Sequence, residues 1–259
     1  FVHLRGCFPG LIYTLTFSSI NYLYDLRAFF GQWADGGITK YNSIAYKFTL
    51  LLERRILNKA SATVILDKSG KEYIQSKYKI KSPLFVIPTA TDINKYKLEK
   101  SPNLKEKRSI NLVYLGGGAF PPYRIKDAIN LTKELIKSGI NCKIDFINKN
   151  EHEFIKRLLK ENRISKNNYS IKELNHDQIY KELPKYDVGL VFLEKGKWIR
   201  MSSPTKIGEY LAAGLIIIGN EDIAVLDRLS LESKNIETLK KRGDNIYYDK
   251  NKISNLIKK

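Results

Sequence analysis

Short apolar runs alternate with amphipathic stretches along nearly the whole chain, and that beat leaves few folds open. Residues 21–25, 62–66 and 84–87 read as strands, with helices at 43–58 and 69–77 between them. Beyond a charged stretch at 98–108 that contains Pro102, the alternation resumes. Strands are expected at 111–115, 142–147, 169–172 and 188–193, and helices at 125–137, 151–162 and 178–183. A helix between successive strands is the connection that parallel neighbours need. The spacing predicts an α/β chain with one parallel-sheet domain over 1–97, a linker at 98–108 and a second domain over 109–259.

Composition narrows the function classes. With 259 residues, 43% of them hydrophobic, the chain can bury a sizeable core. Two cysteines, Cys7 and Cys142, are too few and too far apart for a disulfide framework or a metal site. The longest apolar stretches, near 8–20 and 211–218, are too short to cross a bilayer. A soluble cytoplasmic protein is the expectation. The net charge of +18 attracts phosphorylated substrates, anionic lipid and nucleic acid alike. Lys and Glu are interspersed along the helices, Lys, Ile and Asn are abundant throughout as in a compositional bias, and no basic block carries interleaved aromatics, so attraction to a membrane surface at the inner face or plain solubility is expected before nucleic acid.

The strongest local signal is Ser202-Ser203-Pro204-Thr205-Lys206-Ile207-Gly208-Glu209-Tyr210-Leu211-Ala212-Ala213-Gly214, followed by the apolar run Leu215-Ile216-Ile217-Ile218. Ser203 reads as an N-cap, Pro204 as a first-turn residue and Gly214 as the stop of a short helix that runs into a buried strand. The unpaired amides at such a helix start favour an anion, and Lys206 adds a point charge beside it. Glu209, one turn on, can accept from two neighbouring ribose hydroxyls. An ordinary i,i+3 surface pair of Lys206 and Glu209 fits the same spacing. Gly116-Gly117-Gly118 follows a strand, where backbone can approach a phosphate, although three glycines also make a plain turn.

The thirteen-residue segment closely resembles the nucleotide-sugar signature of bacterial glycosyltransferases of family 4. Three more stretches resemble that family in the same order: Tyr24-Asp25-Leu26-Arg27 through Asp35-Gly36-Gly37, Val86-Ile87-Pro88-Thr89-Ala90-Thr91-Asp92 with Tyr96, and Leu112 through Gly118. The resemblance implies a GT-B fold of two Rossmann-like domains, the first incomplete and the second nearly whole, in an N-terminally truncated fragment. It implies Lys206 and Arg124 as catalytic residues on the donor diphosphate, with Lys126 as a rival to Arg124. Donor binding would fall to Glu209, Gly116, Gly117, Gly118, Ser203, Pro204 and Thr205. His3, Arg5 and Arg27 become candidates for the sugar or acceptor side, although Asp25 and Arg27 could equally form a buried ion pair.

Many family members carry a sugar-contacting glutamate where this chain has Met201, so the donor sugar stays open. Residues 196–202, with Trp198 and Arg200, read as a mobile loop over the donor. Near Asn175 and His176 a helix-capping role is expected. The activity implied is transfer of a sugar from a nucleotide diphosphate-sugar to a glycan or lipid-linked acceptor, retaining and metal-independent, with no cofactor. A nucleotide-sugar 2-epimerase of the same fold and a non-catalytic basic module for nucleic acid or membrane are the alternatives. The lack of an evident acid/base carboxylate cluster weighs against the epimerase.

Overall fold

A computed structural model describes residues 2–17, 21–97, 109–119, 121–242 and 245–246; the linker expected at 98–108 lies outside them. The chain divides into two compact units. One holds Phe1–Thr89, Lys195–Ser203 and Asp222–Val225, and the other Ala90–Glu194, Pro204–Glu221 and Leu226–Lys259. Among the described residues no helix is long and apolar enough to cross a membrane.

The first unit carries a parallel sheet in the order β1 (Val2–Arg5), β2 (Tyr22–Leu26), β3 (Ala62–Ile65), β4 (Leu84–Val86). Between these strands run α1 (Cys7–Thr16), α2 (Gln32–Asp35), α3 (Ile44–Lys59) and α4 (Lys68–Tyr78). Local chemistry sets the helix starts: Ser43 accepts from the Tyr46 amide to open α3, and Asp67 accepts from the Ser69 amide to open α4. A methyl group at Gly10 in α1 would lie 3.0 Å from the Tyr24 ring and 3.1 Å from Ile56, so α1 lies close against both sheet and α3. The core gathers Tyr24, Leu26, Phe29, Phe30, Ile56 and Ile74.

Trp198 closes that core. Its side chain is wholly buried against Phe29, Tyr73 and the bare backbone of Gly31, where a methyl group would collide with the indole at 2.0 Å. The Asp35 carboxylate accepts from the amides of Trp198 and Ile199 at 2.7 and 2.8 Å. The segment 196–202 is therefore a packed turn of the first unit rather than the mobile loop expected from sequence. Met201 is buried in the same core.

The second unit is a six-stranded parallel sheet. Its strands are β5 (Ile110–Leu115), β6 (Cys142–Ile147), β7 (Tyr169–Lys172), β8 (Val188–Val191), β9 (Ile216–Asn220) and β10 (Ile236–Leu239), in the order β10-β9-β8-β5-β6-β7. The connections contain α5 (Ile125–Lys137), α6 (His152–Glu161), α7 (His176–Glu182), α8 (Thr205–Ala212) and α9 (Ala224–Glu232). Strand order reverses between β5 and β8, and ligands of open α/β sheets bind beyond the carboxyl ends of strands at such a point. The core is dominated by Leu112, Tyr114, Ile129, Leu131, Ile144, Phe146, Val188, Leu190 and Phe192.

Candidate functional site

At the switch point, α8 is pinned to the sheet by Tyr210. The phenol oxygen accepts from the Leu115 amide at 2.9 Å, at the carboxyl end of β5, and the ring presses on Gly189 of β8. A methyl group at Gly189 would lie 2.3 Å from that ring, so only glycine admits this packing. Tyr210 thus fixes the register of α8, and with it the residues one turn earlier. The helix ends where Gly214 takes φ +73°, a left-handed stop.

The opening of α8 differs from expectation in one respect. Pro204, with φ −59° and ψ 128°, occupies the N-cap position without a side-chain cap, and Thr205 is the first helical residue. Ser203 belongs to the first unit, where its carbonyl accepts from the Thr89 hydroxyl at 2.8 Å, and it does not cap the helix. A proline cap leaves the first-turn amides without a side-chain acceptor.

Lys206 is the residue that most distinguishes the site. It is 5% exposed, and its ammonium has no hydrogen-bond partner among the described residues. It lies over the Tyr114 ring at 4.2 Å and near the Tyr123 ring at 5.2 Å, a cation–π seat that offsets part of its lost hydration. A methyl group on Gly116 would stand 3.7 Å from the ammonium. Burial lowers the lysine pKa to about 7, against a smaller upward pull from Glu209. Glu209 is itself buried, and that burial raises its pKa, opposed by His176 and Lys206. The sequence reading of an exposed i,i+3 pair is excluded, since both members are buried.

Gly116 adopts φ +98°, which a side chain would resist, and its amide donates to the Ile147 carbonyl at 2.9 Å. The Tyr114 hydroxyl donates to the Gly117 carbonyl at 3.1 Å. The Gly118 amide donates to Glu151 Oε2 at 2.7 Å, so one turn donor is already taken. Asn148 completes the frame by donating to the Gly116 carbonyl and to Glu151. Tyr114, Tyr123, Asn148 and Glu151 escaped the sequence reading as site residues: Tyr114 reads there only as part of a strand, Tyr123 is set by a bridge to Leu193 beyond β8, and Asn148 and Glu151 reach the turn through the β5–β6 pairing.

Arg124 also departs from the picture of an available guanidinium. It is ion-paired to Asp127 and to Glu194, the latter at 2.9 Å, and its backbone amide donates to the Phe192 carbonyl. These carboxylates hold its pKa above the ordinary arginine value. It lines a cavity of about 570 Å³ with Gly118, Tyr123, Lys126 and Asn130. Lys126 is exposed. A second cleft, of about 580 Å³, runs from Gly116 past Asn148 to Asn175 and His176. Asn175 caps α7 there in a reciprocal capping box with Gln178, the role expected of it.

Lys206, Glu209, Gly116, Gly117, Gly118, Arg124, Pro204 and Thr205 all belong to the second unit, whereas His3, Arg5, Arg27 and Ser203 belong to the first. Arg27 pairs with the buried Asp25 at 2.9 Å, and His3 lies 3.6 Å from the same carboxylate. Arg5 is exposed at the end of β1.

No family model and no curated protein matches the sequence. Solved structures do match. WaaG, a glycosyltransferase involved in lipopolysaccharide biosynthesis, aligns with a TM-score of 0.63 at 12% identity, over 95% of this chain and 70% of that one. HepE from Anabaena, solved with UDP-glucose, gives 0.59 at 12% identity, over 96% and 64%. Sucrose-phosphate synthase from Thermosynechococcus elongatus gives 0.58 at 12%, over 85% and 56%. The chain thus spans less than two-thirds of the synthase and of HepE. At this identity the likeness shows the fold: α/β, with two parallel sheets of the Rossmann-like kind found in GT-B enzymes.

Proposed function

We propose that the chain is a glycosyltransferase that moves a sugar from a nucleotide diphosphate-sugar to a hydroxyl of a glycan or lipid-linked acceptor. The observation that carries this reading is Lys206: a buried ammonium without a hydrogen-bond partner among the described residues, at the start of α8 and beside the Gly116 turn. A buried ammonium without a hydrogen-bond partner is costly, and a diphosphate is the partner that this geometry fits. Glu209, one turn further and under the electrostatic pull of His176, which lines the second cleft, is assigned to the ribose hydroxyls, and that cleft to the base. The WaaG and HepE likenesses support the same reading.

In the reaction the bond from the anomeric carbon to the diphosphate oxygen breaks and its electron pair leaves with the diphosphate, while the acceptor oxygen bonds to the anomeric carbon and its proton passes to the departing phosphate oxygen. Lys206 and the amides of α8 stabilise that growing charge, so no divalent ion is required in this proposal. Arg124 takes part by exchanging a carboxylate for phosphate oxygen. His3, Arg5 and Arg27 remain candidates for the acceptor side, and retention of anomeric configuration is the stereochemistry proposed.

Calorimetric titration with UDP, GDP and ADP tests the site, with Glu209→Ala as control. Micromolar binding of one nucleotide, lost in the variant, supports the reading and names the base. Absence of binding by all three removes it. If binding holds, release of nucleoside diphosphate that depends on an added acceptor separates transfer from epimerisation.

A further inference from the structure

The glycine turn after β5 is held at both ends by the loop between β6 and α6. The Asn148 side-chain amide donates to the Gly116 carbonyl at 3.1 Å, and Glu151 Oε2 accepts from the Gly118 amide at 2.7 Å. The two holders are themselves locked together. Asn148 donates to the same Glu151 oxygen at 2.9 Å, and its side-chain oxygen accepts from the amides of Asn150 and Glu151 at 3.1 and 2.6 Å. His152 Nε2 donates to the Asn148 carbonyl at 2.7 Å.

This frame decides which amide of the turn meets an anion. Gly116 donates to the Ile147 carbonyl and Gly118 to Glu151, whereas the Gly117 amide has no acceptor among the described residues. Gly116, the residue before it, is the one that Lys206 approaches, its missing methyl group standing 3.7 Å from the ammonium. The open amide therefore follows directly on the unpartnered cation. A carboxylate is a costly brace for a turn that receives an anion, because it repels that anion, and a neutral acceptor would hold Gly118 without the repulsion. What the carboxylate adds is strength. A charged acceptor binds an amide more firmly than a neutral one, and here a single oxygen withdraws both the Gly118 and the Asn148 N–H groups from competition for a phosphate.

We propose that Glu151 is a positioning residue for the donor: with Asn148 it fixes the glycine turn so that the Gly117 amide donates to the β-phosphate of the nucleotide diphosphate-sugar, beside Lys206. The inference rests on the nucleotide site proposed above. Its direction follows from the two clefts: Gly116 lines the one assigned to the base, and Gly118 lines the one that holds Arg124. Gly117 lies between them, past the base, where the second phosphate falls. There the amide stabilises the charge that grows as the bond to the sugar breaks.

Calorimetry on the full chain tests it with UDP, GDP and ADP, each paired with the monophosphate of the same base. Glu151→Ala is expected to weaken diphosphate binding by about tenfold, as for one lost hydrogen bond to a charged group, and to leave monophosphate affinity unchanged. Glu151→Gln, whose side-chain oxygen can still accept from Gly118, binds the diphosphate as the parent does. Asn148→Asp replaces the donor to Glu151 by a second carboxylate; it repeats the selective loss and decides the matter if Glu151→Ala does not fold. A brace without bearing on the donor would weaken monophosphate and diphosphate alike, or neither, and either result overturns the inference while leaving the nucleotide site standing. So does tighter diphosphate binding in Glu151→Ala, because the carboxylate would then be a competitor of the phosphate. Absence of nucleotide binding by the parent chain removes the site and the inference together.

Discussion

Lys206 is a base that its surroundings push toward neutrality, and its folded pKa near 7 has a thermodynamic sign. The unfolded chain binds more protons than the folded one between about pH 7 and the ordinary lysine value near 10.4. Unfolding free energy therefore rises with pH across that window, and Lys206→Met flattens the slope in chemical denaturation of the second unit. A bound diphosphate reverses the preference. At about pH 8.5, nucleotide binding takes up close to one proton, seen as a heat that varies with buffer ionisation enthalpy. Lys206→Met binds without that uptake, and turnover falls by roughly 10²–10³-fold as for a lost oxyanion donor. Uptake that persists in Lys206→Met would assign the proton to another group. Tyr114 deserves a graded test, because its ring and hydroxyl do different things. Tyr114→Phe keeps the seat under Lys206 and loses only the bond to Gly117, costing about 1 kcal/mol. Tyr114→Leu removes both and weakens nucleotide binding as well.

At the scale of elements, the tightest contact of α8 on β8 is Tyr210 on Gly189. Gly189→Ala overpacks it and destabilises the second unit by about 1–3 kcal/mol, while nucleotide affinity falls because Lys206 and Glu209 are carried on the displaced helix. Stability lost with affinity intact would show that α8 holds its register by other means. Strongly periodic elements such as Ile125–Lys137, Cys142–Ile147 and Tyr169–Lys172 were legible residue for residue in the sequence. Others were not. Helix α1 hides behind Pro9 and Gly10, and its exposed Phe8, Ile12 and Leu15 break the usual pattern of polar outer positions. The start of α8 shifted because Pro204, not Ser203, takes the cap position. The site was legible where it is local, as with Lys206 and Glu209 on one helix. It was illegible where pairing of distant strands brings Tyr114, Asn148 and Glu151 to one turn.

For the whole molecule, neither unit is a contiguous piece of sequence. Residues 195–203 leave the second unit's stretch of chain to deliver Trp198 to the core of the first. Trp198→Ala empties the space above Gly31 and costs about 3–5 kcal/mol of first-unit stability. A fragment ending before the linker loses the same side chain, and proteolysis protection of residues 2–89 is expected to drop in it. Glu53 sets the pH behaviour of this unit: burial raises its pKa to about 7, against hydrogen bonds from the Phe30 amide and the Tyr78 hydroxyl. A folded pKa above the unfolded one means that stability falls as pH rises from about 4.5 to 7, and Glu53→Gln removes that fall.

The two tryptophans of the chain, Trp33 and Trp198, both belong to the first unit. Intrinsic fluorescence excited at the indole band is therefore an optical label for one half of the protein. A melt followed by indole emission records the Glu53 slope and is blind to Lys206.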